Sequence, residues 1–112
     1  MPGSSRGKGP LPGTLGFLIL RVLQAGPLHG YAIAQRLHQL SNQELAVEEG
    51  SLYPALQRLL ANGWVAGEWG TSEQGRRVRT YRLTPKGARR LEVETSEFER
   101  AAAVIRTILE KA

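Results

Sequence analysis

The chain has 112 residues, 41% of them hydrophobic, so its length and composition predict one small domain with a modest core rather than a two-domain enzyme. Fifteen lysines and arginines against ten acidic residues give a formal net charge of +5, which favours a polyanionic partner. The absence of cysteine excludes disulfides, thiolate catalysis and cysteine-ligated zinc.

The N-terminal segment, residues 1–13, is rich in Gly, Ser and Pro, and we expect a disordered tail. Thr14 then precedes a predicted helix over residues 15–23 that is apolar almost all round and ends before Gly26-Pro27. Such a helix must be buried. We expect one side to pack on the chain's own core, and the side with Leu15 and Leu18 to meet a second subunit. Because Arg21 interrupts the apolar run, we expect no membrane span and a cytoplasmic protein.

Two shorter helices are predicted next. Apolar residues recur at helical spacing from Gly30 to Leu40, and again over residues 52–60 until Asn62-Gly63 ends the pattern. Pro54 has no N–H, and its ring clashes with a helical carbonyl four residues back. We therefore expect Pro54 in the first turn of the third helix, which would begin near Gly50 or Ser51.

The pattern changes to short β-prone runs over residues 64–69 and 77–83, separated by a turn cluster at 70–75, which predicts a β-hairpin. Thr84-Pro85 supplies an N-cap and a first-turn proline for a last helix. This order predicts a mainly α fold with a small β-hairpin: a winged helix-turn-helix domain over residues 14–84, followed by a C-terminal dimerisation helix over residues 85–112.

The third helix is the candidate reader of duplex DNA, because the major groove is wide enough for one helix. With its leucines facing the core, Ser51, Tyr53, Gln57 and Arg58 are left for bases or phosphates. Two alternatives stay open: Ser51 as a simple N-cap, and Tyr53 as a half-buried packing residue. We place His29 and Tyr31, at the start of the second helix, among the DNA contacts as well.

The predicted hairpin, or wing, carries the strongest charge signal. Residues 61–91 contain seven basic side chains and two acidic ones. We expect Arg76, Arg77 and Arg79 to reach phosphates or the minor groove, since electrostatics dominates protein–DNA affinity. The alternative is an edge strand kept soluble by its charge.

Catalytic and metal-binding patterns are missing from the sequence. His29 and His38 lie nine residues apart without cysteine or a paired carboxylate nearby, which does not make a metal site. The serines, histidines and acidic residues have no spacing that indicates a triad. We therefore predict no enzyme, no metal and no cofactor.

The last helix carries an apolar seam whose spacings alternate between three and four residues. Its positions are Ala88, Leu91, Thr95, Phe98, Ala102, Ile105 and Leu109, and Ile108 widens it. A hairpin and three short helices cannot cover such a seam, so we predict pairing with a second chain. The expected dimerisation residues are Leu15, Leu18, Leu91, Phe98, Ala102, Ile105, Ile108 and Leu109. The alternative is that the seam packs on its own domain.

Several motifs together resemble PadR-type transcriptional regulators of the small type with a short C-terminus, over nearly everything from Leu15 onward. They are His29-Gly30-Tyr31, Gly50-Ser51-Leu52-Tyr53-Pro54-Ala55-Leu56, Arg58-Leu59, Asn62-Gly63-Trp64, Glu68-Trp69-Gly70 and Tyr81-Arg82-Leu83-Thr84. The resemblance implies a homodimeric winged-helix regulator, usually a repressor, whose third helix and wing contact an inverted-repeat operator. The sequence departs from the family where Thr80 replaces a frequent aromatic and Phe98 replaces a frequent Trp.

The resemblance also implies a ligand, because some family members hold a flat drug-like molecule between their subunits against an aromatic residue. Phe98 is therefore the ligand-binding candidate, for a hydrophobic or aromatic small-molecule effector that releases the DNA. Two other function classes remain as alternatives: a winged-helix module for protein–protein interaction without DNA binding, and a small enzyme. Binding by an interaction module would weaken less with salt than DNA binding does. An enzyme would need a pocket with an acid or base whose pKa is perturbed.

Overall fold

The structure is a computed structural model that describes residues 13–112. These residues form four helices and three strands, in the order α1 (Leu15–Leu23), β1 (Leu28–His29), α2 (Gly30–Leu40), α3 (Glu49–Ala61), β2 (Val65–Thr71), β3 (Arg77–Leu83) and α4 (Pro85–Lys111). Every helix predicted from the sequence is present, and so is the hairpin. The predicted tail lies outside the described residues, except for Gly13.

The core lies where α1 meets α2, α3 and the base of the hairpin. Its largest fully buried side chains are Ile19, Leu20, Ile33, Leu52 and Leu56. The predicted inward face of α3 is confirmed for Leu52, Leu56 and Leu59, which are buried, while Leu60 is half-buried. These residues recur at helical spacing, so the hydrophobic stripe of each helix turns toward the same centre.

Helix α3 begins at Glu49, one or two residues earlier than predicted, and Glu48 is its N-cap. The backbone N–H groups of Ser51 and Leu52 both donate to the Glu48 carbonyl oxygen, at 2.9 Å. Pro54 therefore lies inside the helix, in its second turn, and the placement in the first turn was wrong. The helix continues through the proline without its N–H, so the Gly50 carbonyl loses the bond that residue 54 would otherwise donate.

The sheet has one strand more than the sequence predicted. Its antiparallel order is β1-β3-β2, with Leu28 opposite Tyr81 and His29 opposite Thr80. A two-residue strand has no periodicity to reveal it, and its partner lies about fifty positions later in the chain, so it is set by tertiary pairing. This small sheet fixes the start of α2 against the wing.

Helix α4 begins as predicted. The Thr84 hydroxyl accepts a hydrogen bond from the Gly87 N–H at 2.9 Å and donates one to the Gly63 carbonyl at 2.7 Å. Gly87 packs so closely on the preceding chain that a Cβ there would overlap the Trp64 carbonyl oxygen. The first turns of α4 are thereby fixed to the domain, while the last turns extend away from it.

Candidate nucleic-acid interface

A cleft of about 400 Å³ opens between the start of α2, the exposed face of α3 and the hairpin β2–β3. Its lining residues are His29, Gly30, Tyr31, Tyr53, Gln57, Trp69, Arg77, Val78, Arg79 and Tyr81. Six of the nine predicted DNA contacts, His29, Tyr31, Tyr53, Gln57, Arg77 and Arg79, are therefore brought together. The described residues that line this cleft include two arginines and no carboxylate, so its charge is positive.

The exposed face of α3 is continuous. Ser51, Tyr53, Gln57 and Arg58 are all exposed, as their predicted role requires. At 3.6 residues per turn, Tyr53 and Ser51 lie at opposite edges of this face, with Gln57 between them and Arg58 beside Ser51. Arg58 lines a different, smaller cleft with Asn62, so it is separated from the wing.

Tyr53 and Ser51 differ from the simple alternatives. Tyr53 is 41% exposed, yet its phenol also packs on α2, since a Cβ at Gly30 would lie 2.8 Å from its hydroxyl oxygen. Tyr53 thus combines packing with an accessible edge. Ser51 is the third residue of α3 rather than its N-cap, because Glu48 holds that position.

The start of α2 presents two side chains at the mouth of the cleft. His29 is the N-cap of α2, has extended backbone and is exposed. Tyr31 is 67% exposed. A helix N-terminus carries free backbone N–H groups and partial positive charge, which suits a phosphate.

The wing presents its three predicted arginines in different settings. Arg76 lies in the turn, where its backbone N–H donates to the Ser72 hydroxyl at 3.1 Å, and its side chain is outside the cleft. Arg77 is exposed, with its guanidinium carbon 4.6 Å from the centroid of the Trp69 ring. Arg79 is half-buried against the same indole and Tyr81.

Trp69 and Tyr81 were not among the predicted site residues. Trp69 can be identified from its position opposite Arg79 in the hairpin, but that position is known only once the register of the two strands is known. Burial raises the pKa of the Tyr81 hydroxyl, and the positive charge of Arg79 partly opposes this effect. The phenol therefore stays protonated near neutral pH and is a hydrogen-bond donor on the cleft wall.

A second polar group lies on the other side of α3, beside α4. Arg90 forms an ion pair with Glu94 at 2.7 Å, and its guanidinium carbon lies 4.9 Å from the centroid of the Trp64 ring. Trp64 and Glu94 line the cleft of about 200 Å³ that also contains Arg58. The Arg90 contact joins α4 to Trp64, which lies between α3 and β2.

The seam of α4 divides into two parts. Leu91 is only 3% exposed because it belongs to the chain's own core, which differs from its expected place at a subunit contact. Beyond Thr95 the helix leaves that core, and large apolar side chains face solvent. Those exposed beyond Thr95 are Phe98, Val104, Ile105, Ile108 and Leu109, and Val93 is exposed before that point.

Residues of α1 border this exposed part. Phe98 lies beside Phe17 of the same chain, with ring centroids 6.1 Å apart and ring planes at 41°. Leu15 and Leu18 are half-buried, as is Ala102. The remaining apolar surface of α1 is thus continuous with that of α4.

Residues 13–112 contain neither a metal-binding cluster nor a membrane-spanning helix. Within that range no group of three His, Cys, Asp or Glu side chains is placed to hold a metal ion. Over the same residues no helix has both the length and the apolar character needed to cross a bilayer. His38 has a local contact, with its Nδ1 3.2 Å from the Leu45 carbonyl oxygen.

A family model described as the transcriptional regulator PadR-like family matches residues 19–93. The chain is also 43% identical over 83 residues to an uncharacterized 37.1 kDa protein in a transposon of Streptomyces fradiae. That match covers 74% of this chain but only 22% of the relative, so this chain spans less than a quarter of that protein's length.

Solved structures give the same result. A transcriptional regulator from Clostridium thermocellum is similar with a TM-score of 0.78 and 28% identity, over 85% of this chain and 92% of that one. A PadR-like transcription factor from Bacteroides fragilis is similar with a TM-score of 0.74 and 31% identity, over 86% and 90% of the two chains. The predicted winged-helix fold is confirmed. So is the prediction of a regulator rather than an enzyme, since the chain belongs to the transcriptional regulator PadR-like family.

Proposed function

We propose that this transcriptional regulator binds duplex DNA through α3 and the wing, and that it acts as a repressor at an inverted-repeat operator. The observation that carries the proposal is the cleft in which the exposed face of α3 meets Arg77 and Arg79 with no carboxylate among its described lining residues. A helix that fits the major groove, next to arginines that fit phosphates, is the arrangement that DNA requires.

The roles of the contacts follow from their settings. Gln57 lies on the exposed face of α3 one turn after Tyr53, on the side that faces the wing, where an amide can pair with the edge of a base. Arg76, Arg77 and Arg79 neutralise phosphates, with Arg76 at the tip. The DNA backbone is contacted near the N-termini of α2 and α3, by His29, Tyr31 and Ser51. The two sides of the major groove are contacted by Tyr53 and Arg58.

The proposed assembly is a homodimer formed by residues 85–112 together with α1. Phe98, Ile105, Ile108 and Leu109 are each more than half exposed, and an apolar stripe of this size is normally covered by a partner. Leu15, Leu18 and Ala102 border the stripe, whereas Leu91 supports it from inside the core. A two-fold axis would set two recognition helices about 34 Å apart, which matches successive major grooves.

Specific binding is tested by selection from a library of duplexes with a randomised central region. We expect wild-type protein to enrich an inverted repeat. Gln57→Ala should lose about 1–3 kcal/mol of discrimination at one base pair in each half-site. Arg77→Ala with Arg79→Ala should instead weaken binding to all duplexes alike, with a less steep dependence on salt.

The matched control for the arginine pair is Arg36→Ala with Arg100→Ala, which removes the same charge from two exposed residues outside the cleft. This control should bind DNA nearly as wild type does. Equal loss in both double variants would show that only net charge matters. Wild-type protein that binds no duplex at low salt would favour the protein-interaction module instead.

The proposed effector site lies at Phe98, next to Phe17, where a flat aromatic molecule can pack on the ring between the two subunits. Anilinonaphthalene sulfonate is a suitable fluorescent probe. We expect its fluorescence to rise with wild-type protein, to rise much less with Phe98→Ala, and to be unaffected by Val93→Ala. Equal enhancement by wild type and Phe98→Ala would contradict this site.

A further inference from the structure

One face of the wing carries a ladder of aromatic and basic side chains. The strand register places Gly67 opposite Tyr81, Trp69 opposite Arg79 and Thr71 opposite Arg77. Because alternate residues of a strand point to the same side, all six share one face. Trp69, Arg77, Arg79 and Tyr81 line the cleft that faces α3.

The Arg79 side chain packs closely against its neighbours on this face. Its guanidinium carbon lies 5.6 Å from the centroid of the Trp69 ring and 5.7 Å from that of Tyr81. Its Nε lies where a side chain at position 67 would be, since a Cβ on Gly67 would come within 2.6 Å of it. The same Nε is buried without a hydrogen-bond partner. Packing, rather than hydrogen bonding at this atom, therefore holds the side chain.

Arg77 shares the same indole. Its guanidinium carbon lies 4.6 Å from the Trp69 ring centroid, and the residue is exposed. No acidic side chain forms an ion pair with Arg77 or Arg79 among the described residues. Both guanidinium groups are thus ordered by one aromatic ring and keep their charge uncompensated.

We propose that Trp69 and Gly67 are positioning residues for DNA binding, which order Arg77 and Arg79 toward the cleft before DNA arrives. The inference rests on the proposed function of that cleft. A preordered arginine loses less rotamer freedom when it meets a phosphate, so affinity rises without any contact between Trp69 and DNA. The cation–π contact keeps the charge, whereas an ion pair would neutralise it.

The glycines of β2 provide a matched test. Gly67→Ala displaces Arg79, whereas a Cβ at Gly70, in the same strand, meets nothing within 4 Å. In fluorescence anisotropy with one labelled duplex, we expect Gly67→Ala and Trp69→Ala each to weaken binding about fivefold or more. Gly70→Ala should stay within about twofold of wild type, and Trp69→Phe should retain most of the affinity because a ring remains.

A double-mutant cycle separates positioning from a general structural role. On the background of Arg77→Ala with Arg79→Ala, Trp69→Ala should change affinity by less than about twofold, since nothing is left to position. An equal loss on both backgrounds, or equal affinities for Gly67→Ala and Gly70→Ala, would overturn the inference while DNA binding stands. If Trp69→Ala does not fold, the glycine pair decides. Wild-type protein without DNA affinity would overturn the proposed function, and the inference with it.

Discussion

Gly87 shows how a single residue controls where the last helix lies. Without a side chain at this position, the first turn of α4 approaches the backbone carbonyl of Trp64 directly, and Leu83 lies against the same point. The contact is made by backbone on backbone, so no rotamer change can relieve an added methyl group. The base of α4 is therefore held in one orientation relative to the hairpin.

We predict that Gly87→Ala lowers the free energy of unfolding by about 3 kcal/mol, because overpacking against rigid backbone forces the helix to shift. The control is Gly50→Ala, also in a helix, where a Cβ meets nothing within 4 Å. That substitution should be neutral or stabilise by up to about 1 kcal/mol. Urea unfolding at a fixed protein concentration measures both, and equal stability of the two variants would contradict the assignment.

Residues that share a chemical type in the sequence have different settings in the fold. The three wing arginines divide into a turn residue, an exposed stacked residue and a half-buried one. Charge counting predicted the location of the basic surface but could not rank its members. The ranking depends on which aromatic ring lies across the hairpin, and that is a property of register.

At the scale of elements, α4 has a fixed beginning and a free end. The Thr84 hydroxyl fixes the beginning, because it accepts a hydrogen bond from the Gly87 N–H and donates one to the Gly63 carbonyl. One hydroxyl thus caps α4 and also binds the turn after α3. A helix N-terminus has four backbone N–H groups without helical partners, and the cap satisfies one of them.

Thr84→Ala should therefore lower the free energy of unfolding by about 0.5–2 kcal/mol, the usual cost of losing an N-cap. Thr107→Ala is the control, because Thr107 is exposed in the interior of the same helix and alanine favours helix there. It should leave stability unchanged or slightly raise it. Chemical unfolding followed by circular dichroism gives the comparison, and a Thr84→Ala midpoint equal to that of Thr107→Ala would refute the role of the cap.

Residues 13–112 form an elongated body, with extents of 57 × 35 × 22 Å. Its radius of gyration of 15.8 Å exceeds the roughly 13 Å expected for a compact domain of about 100 residues. The end of α4 causes this shape, since it carries apolar side chains beyond the reach of the chain's own core. A second copy of the chain is the partner that would cover them in the proposed dimer.

Phe98→Glu and Ile105→Glu should each weaken the dimer about tenfold or more, because burying a carboxylate in an apolar interface is costly. Ala103→Glu adds the same charge at an exposed position off the seam and should leave the dimer intact. Sedimentation velocity at micromolar concentration distinguishes the states. A monomeric wild type, or glutamate variants as dimeric as Ala103→Glu, would defeat the proposed assembly.

The sequence by itself determined the helices, the hairpin and the family. Apolar periodicity, the Gly26-Pro27 stop and the Thr84-Pro85 start are local signals, and each needs only a few neighbouring residues to act. Pro54 marks the limit of such rules, because the packing of Leu52 and Leu56 outweighs one missing hydrogen bond and lets the helix begin earlier. Because apolar periodicity is a local signal, the exposed positions of α3 could be predicted one by one.

Tertiary structure decided what those elements bring together. Strand β1, the burial of Leu91 and the separation of Arg58 from the wing all depend on contacts between segments far apart in the chain. Trp69 is another case, since only the register of β2 on β3 places its ring against two arginines. Local pattern fixes which side of an element is apolar. Which partner that side meets depends on packing the whole chain around one core, and no window of neighbouring residues contains that information.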